Sequence, residues 1–84
     1  MGWHTNYEVE FNDHIDWDDD DVRRRLSDFA VQHLYLRDME KPRLMLCVYS
    51  QNPVEEILNA LKSMYHTSMC YRIYNTGEEW VIYT

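Results

Sequence analysis

Carboxylates dominate the groups in this chain that could do chemistry, and many of them lie close together. Glu8, Glu10, Asp13, Asp16 and Asp18 to Asp21 fall within the first 21 residues, a stretch with no Lys or Arg. Neighbouring carboxylates can hold a cation, move a proton, or compete with phosphates for a basic surface. Each option makes its own demands. Asp16 to Asp21 resembles the start of a calcium loop, but its sixth position is Asp21 where the sharp turn needs Gly. Its twelfth is Ser27 where a bidentate Glu is needed, so no dedicated metal site is expected. His14, Asp16, His33 and the Asp run are candidate acid–base groups. Yet His4, His14, His33 and His66 are scattered, with no HxxxH or HExxH pair. No nucleophile, base and orienting group stand in a recognisable constellation, so the chain is read as non-enzymatic and free of cofactors. Any activity would be a metal-dependent one. Cys47 and Cys70 sit in strand-like apolar runs without CxxC spacing and read as reduced core thiols of a cytoplasmic protein. A disulfide would require their strands to be neighbours.

Recognition is the chemistry that remains. The chain has 84 residues and a net charge of −7, from 15 acidic and 8 basic side chains. The first 21 residues hold eight of the acids, so they carry −8 and the rest +1. An acidic chain has no general attraction to a nucleic-acid backbone. A hydrophobic share of 45% argues for a folded core, and no apolar run is long enough for a membrane helix. Met1-Gly2-Trp3-His4 lacks a signal-peptide layout, and Asn6 breaks the myristoylation pattern. The expected partner is a protein with a basic surface, such as a nucleic-acid-binding complex. Asp16 and Asp18 to Asp21, with Glu8 and Glu10, would face it. Trp17 is either an anchor in that surface or a lid on the adjoining helix.

The elements that must position these groups follow from periodicity. Tyr7, Val9 and Phe11 alternate with Asn6, Glu8 and Glu10, a strand over Thr5 to Phe11 with one buried face. A helix should start near Asp18 or Asp19, with Val22, Leu26, Phe29 and Ala30 as its apolar stripe. Asp19/Arg23, Asp20/Arg24 and Asp21/Arg25 are each four apart, acid first, the favoured orientation for helical ion pairs. Residues 31–38 fit either an extension of that helix or a strand from about Gln32 to Asp38. The Leu34-Tyr35-Leu36 run and Pro42 favour the strand, with a turn over 39–42 and a return strand Arg43 to Ser50. That return strand is apolar on both faces, which suits the middle of a sheet. Asn52 can cap a second helix, with Pro53 at its first position and Glu55 completing a capping box. Val54, Ile57, Leu58, Leu61, Met64 and Tyr65 form its stripe. A strand from Ser68 to Asn75, a turn at Asn75-Thr76-Gly77 and a last strand from Glu79 to Thr84 close the chain.

Strand, helix, strand, strand, helix, strand, strand is an α+β order. It predicts a single domain, a two-layer ferredoxin-like sandwich of βαββαβ plan with an extra C-terminal edge strand and both helices on one sheet face. The other face would then carry Met45, Cys47 and Tyr49, with His33, Tyr35 and Arg37 from the second strand and Cys70, Arg72 and Tyr74 from the fourth. An open, Tyr- and Met-rich sheet face is expected to be an interface, for a partner or for a homodimer. Tyr35, Tyr49 and Tyr74 are its candidate contacts.

Two stretches carry a resemblance. Met1 to Phe11, with Trp3 and the alternating Tyr7-Glu8-Val9, resembles the first strand of small phage and mobile-element proteins. Leu61 to Tyr83 is similar to their ending, with Tyr65, Gly77, Glu78, Glu79 and Trp80. The resemblance implies a ferredoxin-like fold and carries neither an activity nor a functional residue over to this chain. In size and acidity the chain also resembles phage-encoded inhibitors of host defence, including anti-CRISPR proteins, which implies a host protein as partner. In plan it is similar to RNA-recognition domains. However, Arg43 to Tyr49 lacks their glycine-aromatic signature, and direct nucleic-acid binding is not expected.

Overall fold

The computed structural model describes residues 4–29, 32–38, 40–49 and 53–83. In chain order the elements are β1 (His4–Phe11), α1 (Asp19–Arg25), a 3-10 turn (Ser27–Phe29), β2 (Gln32–Leu36), β3 (Arg43–Tyr49), α2 (Val54–Tyr65), β4 (Met69–Ile73) and β5 (Val81–Tyr83). The five strands form one sheet in the order β2-β3-β1-β4-β5, with every neighbouring pair antiparallel. The protein is therefore α+β, two helices with a five-stranded antiparallel sheet.

The core follows from two alternating strands and one helical stripe. Val9 and Phe11 of β1 and Leu44, Leu46 and Val48 of β3 are buried, and Val54, Ile57, Leu58 and Leu61 of α2 close over them. Burying each such side chain contributes about 1.5–3 kcal/mol, so these nine supply most of the driving force. Among the described residues no helix is long and apolar enough to cross a membrane.

Residues 32–36 are strand, paired with β3 from Gln32↔Cys47 to Leu36↔Arg43, as the return-strand reading expects. The first helix is shorter than its stripe. It starts at Asp19 but ends at Arg25, where the Leu26 N–H bonds the Val22 carbonyl. Leu26 is buried just past the helix and Phe29 packs against the core from the 3-10 turn. Tightening the last turn lets both reach the core without a longer helix. Ala30 lies outside the described residues.

Pro53 stands just before α2 rather than at its first position, and the expected cap, Asn52, lies outside the described residues. At the other end His66 adopts the left-handed conformation (φ 53°), and its N–H bonds the Lys62 carbonyl at 2.8 Å. The last two strands are shorter than expected and are joined by residues 74–80 rather than a tight turn. The Tyr74 N–H donates to the Asn6 carbonyl, and the Thr76 hydroxyl bonds the Ile73 carbonyl. Asn75 (φ 60°) and Gly77 (φ 76°) then supply the positive φ angles that turn the chain back.

Candidate functional site

The segment between β1 and α1 is held by an aromatic stack. Trp17 lies parallel to Tyr35 of β2 (centroids 4.5 Å apart, planes 1° apart) and over Tyr65 of α2 (5.7 Å, 18°). His33 meets its edge at 5.6 Å. Trp17 is half-buried and packs against the core, the placement that the lid reading expects. Its Nε1–H donates to Asp19 Oδ1 at 3.1 Å, and His33 Nε2 lies 2.9 Å from the same oxygen. Asp19 Oδ2 accepts from Arg23 at 3.2 Å. The Trp17 hydrogen bond, then that of His33, holds the Asp19 carboxyl below its ordinary range. Asp18 caps α1, accepting from the Asp21 N–H at 3.1 Å, while its own N–H donates to the Tyr65 hydroxyl at 3.2 Å.

The arginine triplet is answered locally, with one difference from the expected pattern. Asp19–Arg23 and Asp21–Arg25 pair at four residues' spacing. Arg24 turns instead to Asp21 at three, 3.3 Å away, because a single carboxylate can accept from two guanidinium groups at once. Asp20 is thereby left without an ion pair. Asp13, Asp16, Asp18 and Asp20 are all exposed, and none has a cationic partner among the described residues.

Glu8 and Glu10 belong to a different environment. They lie on the open face of the sheet, where Glu8 is only 6% exposed. Glu8 accepts from Arg72 Nε at 2.8 Å and from Arg43 Nη1 at 3.2 Å, and Glu10 accepts from Arg43 Nη2 at 3.4 Å. The register dictates this, since Glu8 is opposite Arg72 and Glu10 is opposite Arg43. Trp80 roofs the cluster, its ring centroid 4.2 Å from the Arg72 Cζ and 5.6 Å from that of Arg43. A guanidinium over an indole face is a favourable arrangement. These two carboxylates are therefore consumed inside the fold.

The rest of the open face differs from expectation at β2. His33 and Tyr35 point inward, opposite Leu46 and Leu44, and Leu34 and Leu36 point out, 59% and 36% exposed. Arg37 lies past the strand's end and is exposed. The inward choice buries the Trp17–Tyr35 stack, a larger apolar area than two leucines offer. Tyr35 thus packs, partly buried, against the core. Met45, Cys47 and Tyr49 do face away from the helices, with Tyr49 against the His4 ring at 4.5 Å, and Tyr74 is exposed at the sheet's end. Ile82 of β5, opposite Cys70, is 76% exposed on this same face.

Cys47 pairs in register with Asn6 and Cys70 with Glu10, so β1 separates the two cysteines and they cannot bridge within one chain. Burial, then the Glu10 carboxylate, pushes the Cys70 thiol above its ordinary value, which makes it a poor nucleophile. Among the described residues no three His, Cys, Asp or Glu side chains are grouped as a metal ion would require. Sequence reasoning missed Arg43 and Trp80 as members of the face cluster. Strand alternation gave Arg72 but not the register that sets each arginine beside its carboxylate.

Comparison of the chain with protein-family models, with curated proteins and with solved structures finds no match.

Proposed function

We propose that this chain is a non-catalytic binding protein of ferredoxin-like plan that inhibits or redirects a partner protein by docking its β1–α1 segment on a basic surface. The interior positions of β1 and β3 and the element order support the plan. The observation that carries the function is the set of carboxylates left over once the fold has satisfied its own. Asp13, Asp16 and Asp20 are exposed and without an ion pair among the described residues, Asp18 is exposed but spends one oxygen capping α1, and the Trp17 stack and the Asp19 bonds hold the segment against the core. A rigid row of carboxylates pays little ordering entropy on docking and steers the approach of a cationic groove. A groove built for phosphates offers such a surface. A host nucleic-acid-handling complex is therefore the proposed target, in keeping with the likeness to phage-encoded defence inhibitors.

The test is capture from host lysate by the wild type and by a D13N/D16N/D20N variant, after circular dichroism has verified the variant's fold. Three lost surface charges should weaken partner binding roughly threefold to a hundredfold. Capture that survives all three substitutions unchanged would remove the acidic docking model.

A further inference from the structure

We propose that the acidic docking segment is a pH-sensitive site, weakened when His14 and His33 take up protons. This inference rests on the docking reading above and adds its regulation. Residues 13–25 carry six aspartates and three arginines, a net charge of −3. Two of the chain's four histidines belong to the same region. His14 stands between Asp13 and Asp16, exposed and without a hydrogen bond or ion pair among the described residues. His33 reaches the segment from β2. Its side chain is 6% exposed, its Nε2 lies 2.9 Å from Asp19 Oδ1, and its ring lies against Trp17.

Histidine is the side chain whose charge ordinarily changes between about pH 5 and 8, a span in which aspartate and arginine keep theirs. Asp19 stays ionised there, because the Trp17 and His33 hydrogen bonds hold it below its ordinary range. A carboxylate oxygen only accepts, so His33 Nε2 carries a hydrogen in both states and the added proton goes to Nδ1. Protonation therefore adds a charge without breaking the bond to Asp19. The other groups about His33 do not change over this span. Arg23, which shares Asp19, and Arg37 of β2 stay cationic. Tyr35 of β2 and Tyr65 of α2 stay neutral, their hydroxyls held above the ordinary value by burial. The neighbour on β3 is the apolar Leu46. With both imidazoles charged, residues 13–25 and His33 together carry −1 instead of −3. A cationic surface is then attracted by a much weaker field.

The test is an NMR titration of the whole chain with decalysine, a probe whose own charge is constant below about pH 9. Amide resonances of residues 13–21 should shift on binding. Affinity should fall about threefold to thirtyfold from about pH 8 to about pH 5.5. In the same pH series the Trp17 indole N–H resonance should move with His33, since both donate to one oxygen. H14Q/H33Q, whose amide at position 33 can still donate to Asp19, should bind as tightly at the lower pH as at the higher. H14Q alone, a change at an exposed side chain, should recover part of the loss. H4Q, on the open sheet face, should keep the wild-type profile. Failure of decalysine to bind residues 13–21 at the higher pH overturns the docking reading and this inference with it. Binding there with equal affinity at both pH values overturns the pH response alone and leaves docking standing. So does a double variant as pH-dependent as the wild type.

Discussion

Two groups of carboxylates, adjacent in sequence, are treated in opposite ways by the fold. Glu8 and Glu10 sit on the central strand, shielded from water and each bonded to arginine. The aspartates from 13 to 21 lie on the β1–α1 connection and the first turn of α1 at the surface, where Asp19 and Asp21 pair with arginines, Asp18 caps the helix, and Asp13, Asp16 and Asp20 face solvent. Along the chain they read as one patch of −8. In space the first group is neutralised locally and the second is a smaller acidic site. A charge counted by chain position is thus no guide to the field a partner meets.

The contrast is sharpest in stability. Arg72→Ala removes the closer of the two guanidinium groups on Glu8, a nearly buried carboxylate, and the nearer of the two cations under Trp80. A loss of about 2–4 kcal/mol is expected by urea unfolding at neutral pH. A change under 1 kcal/mol would show that Glu8 is solvated and that the two groups are alike. Next in size is the alkaline limb. Burial holds the hydroxyls of Tyr7, Tyr35, Tyr65 and Tyr71 above their ordinary value of 10.0. These groups keep their protons longer when folded, so their contribution is complete below pH 10 and is lost as pH rises through the folded values. Tyrosinate absorbance should therefore rise together with unfolding, and a separate earlier rise would contradict the packing.

Asp19 provides a smaller effect of the opposite sign. Its folded value lies below 3.8, so its contribution is present above that pH and disappears as pH falls through the folded value. D19N should flatten the acid limb of the stability curve below about pH 4. Smallest of all is D20N, which breaks no ion pair and should change stability by less than about 0.5 kcal/mol. D21N, which removes the negative charge paired with both Arg24 and Arg25, should cost somewhat more.

Much of this architecture was legible in the residues, for local reasons. The alternation of Tyr7, Val9 and Phe11, the two-sided Leu44 to Tyr49 run and the stripe of α2 each state an element and its buried face. The hairpin after α1 was legible from Pro42 and the Leu34-Tyr35-Leu36 run. The inward face of β2 was not. Alternation defines two faces but not which one is buried, and here Trp17, sixteen residues before His33, decides it by stacking on Tyr35. For the same reason alternation alone sets Tyr35 on the open face, whereas it packs against the core. The site itself was only half legible. The acidic run is plain, but which acids remain unpaired depends on the β1–β4 and β1–β3 registers and on the choice of Arg24 between Asp20 and Asp21.

The proposed docking assigns recognition to the exposed aspartates of the β1–α1 segment and not to the paired glutamates of the sheet. The most direct test is the dissociation constant of a captured basic partner across a salt series, for the wild type and for D13N/D16N/D20N. Affinity should fall steeply with salt in the wild type and with a distinctly shallower slope in the variant. Parallel slopes would contradict it.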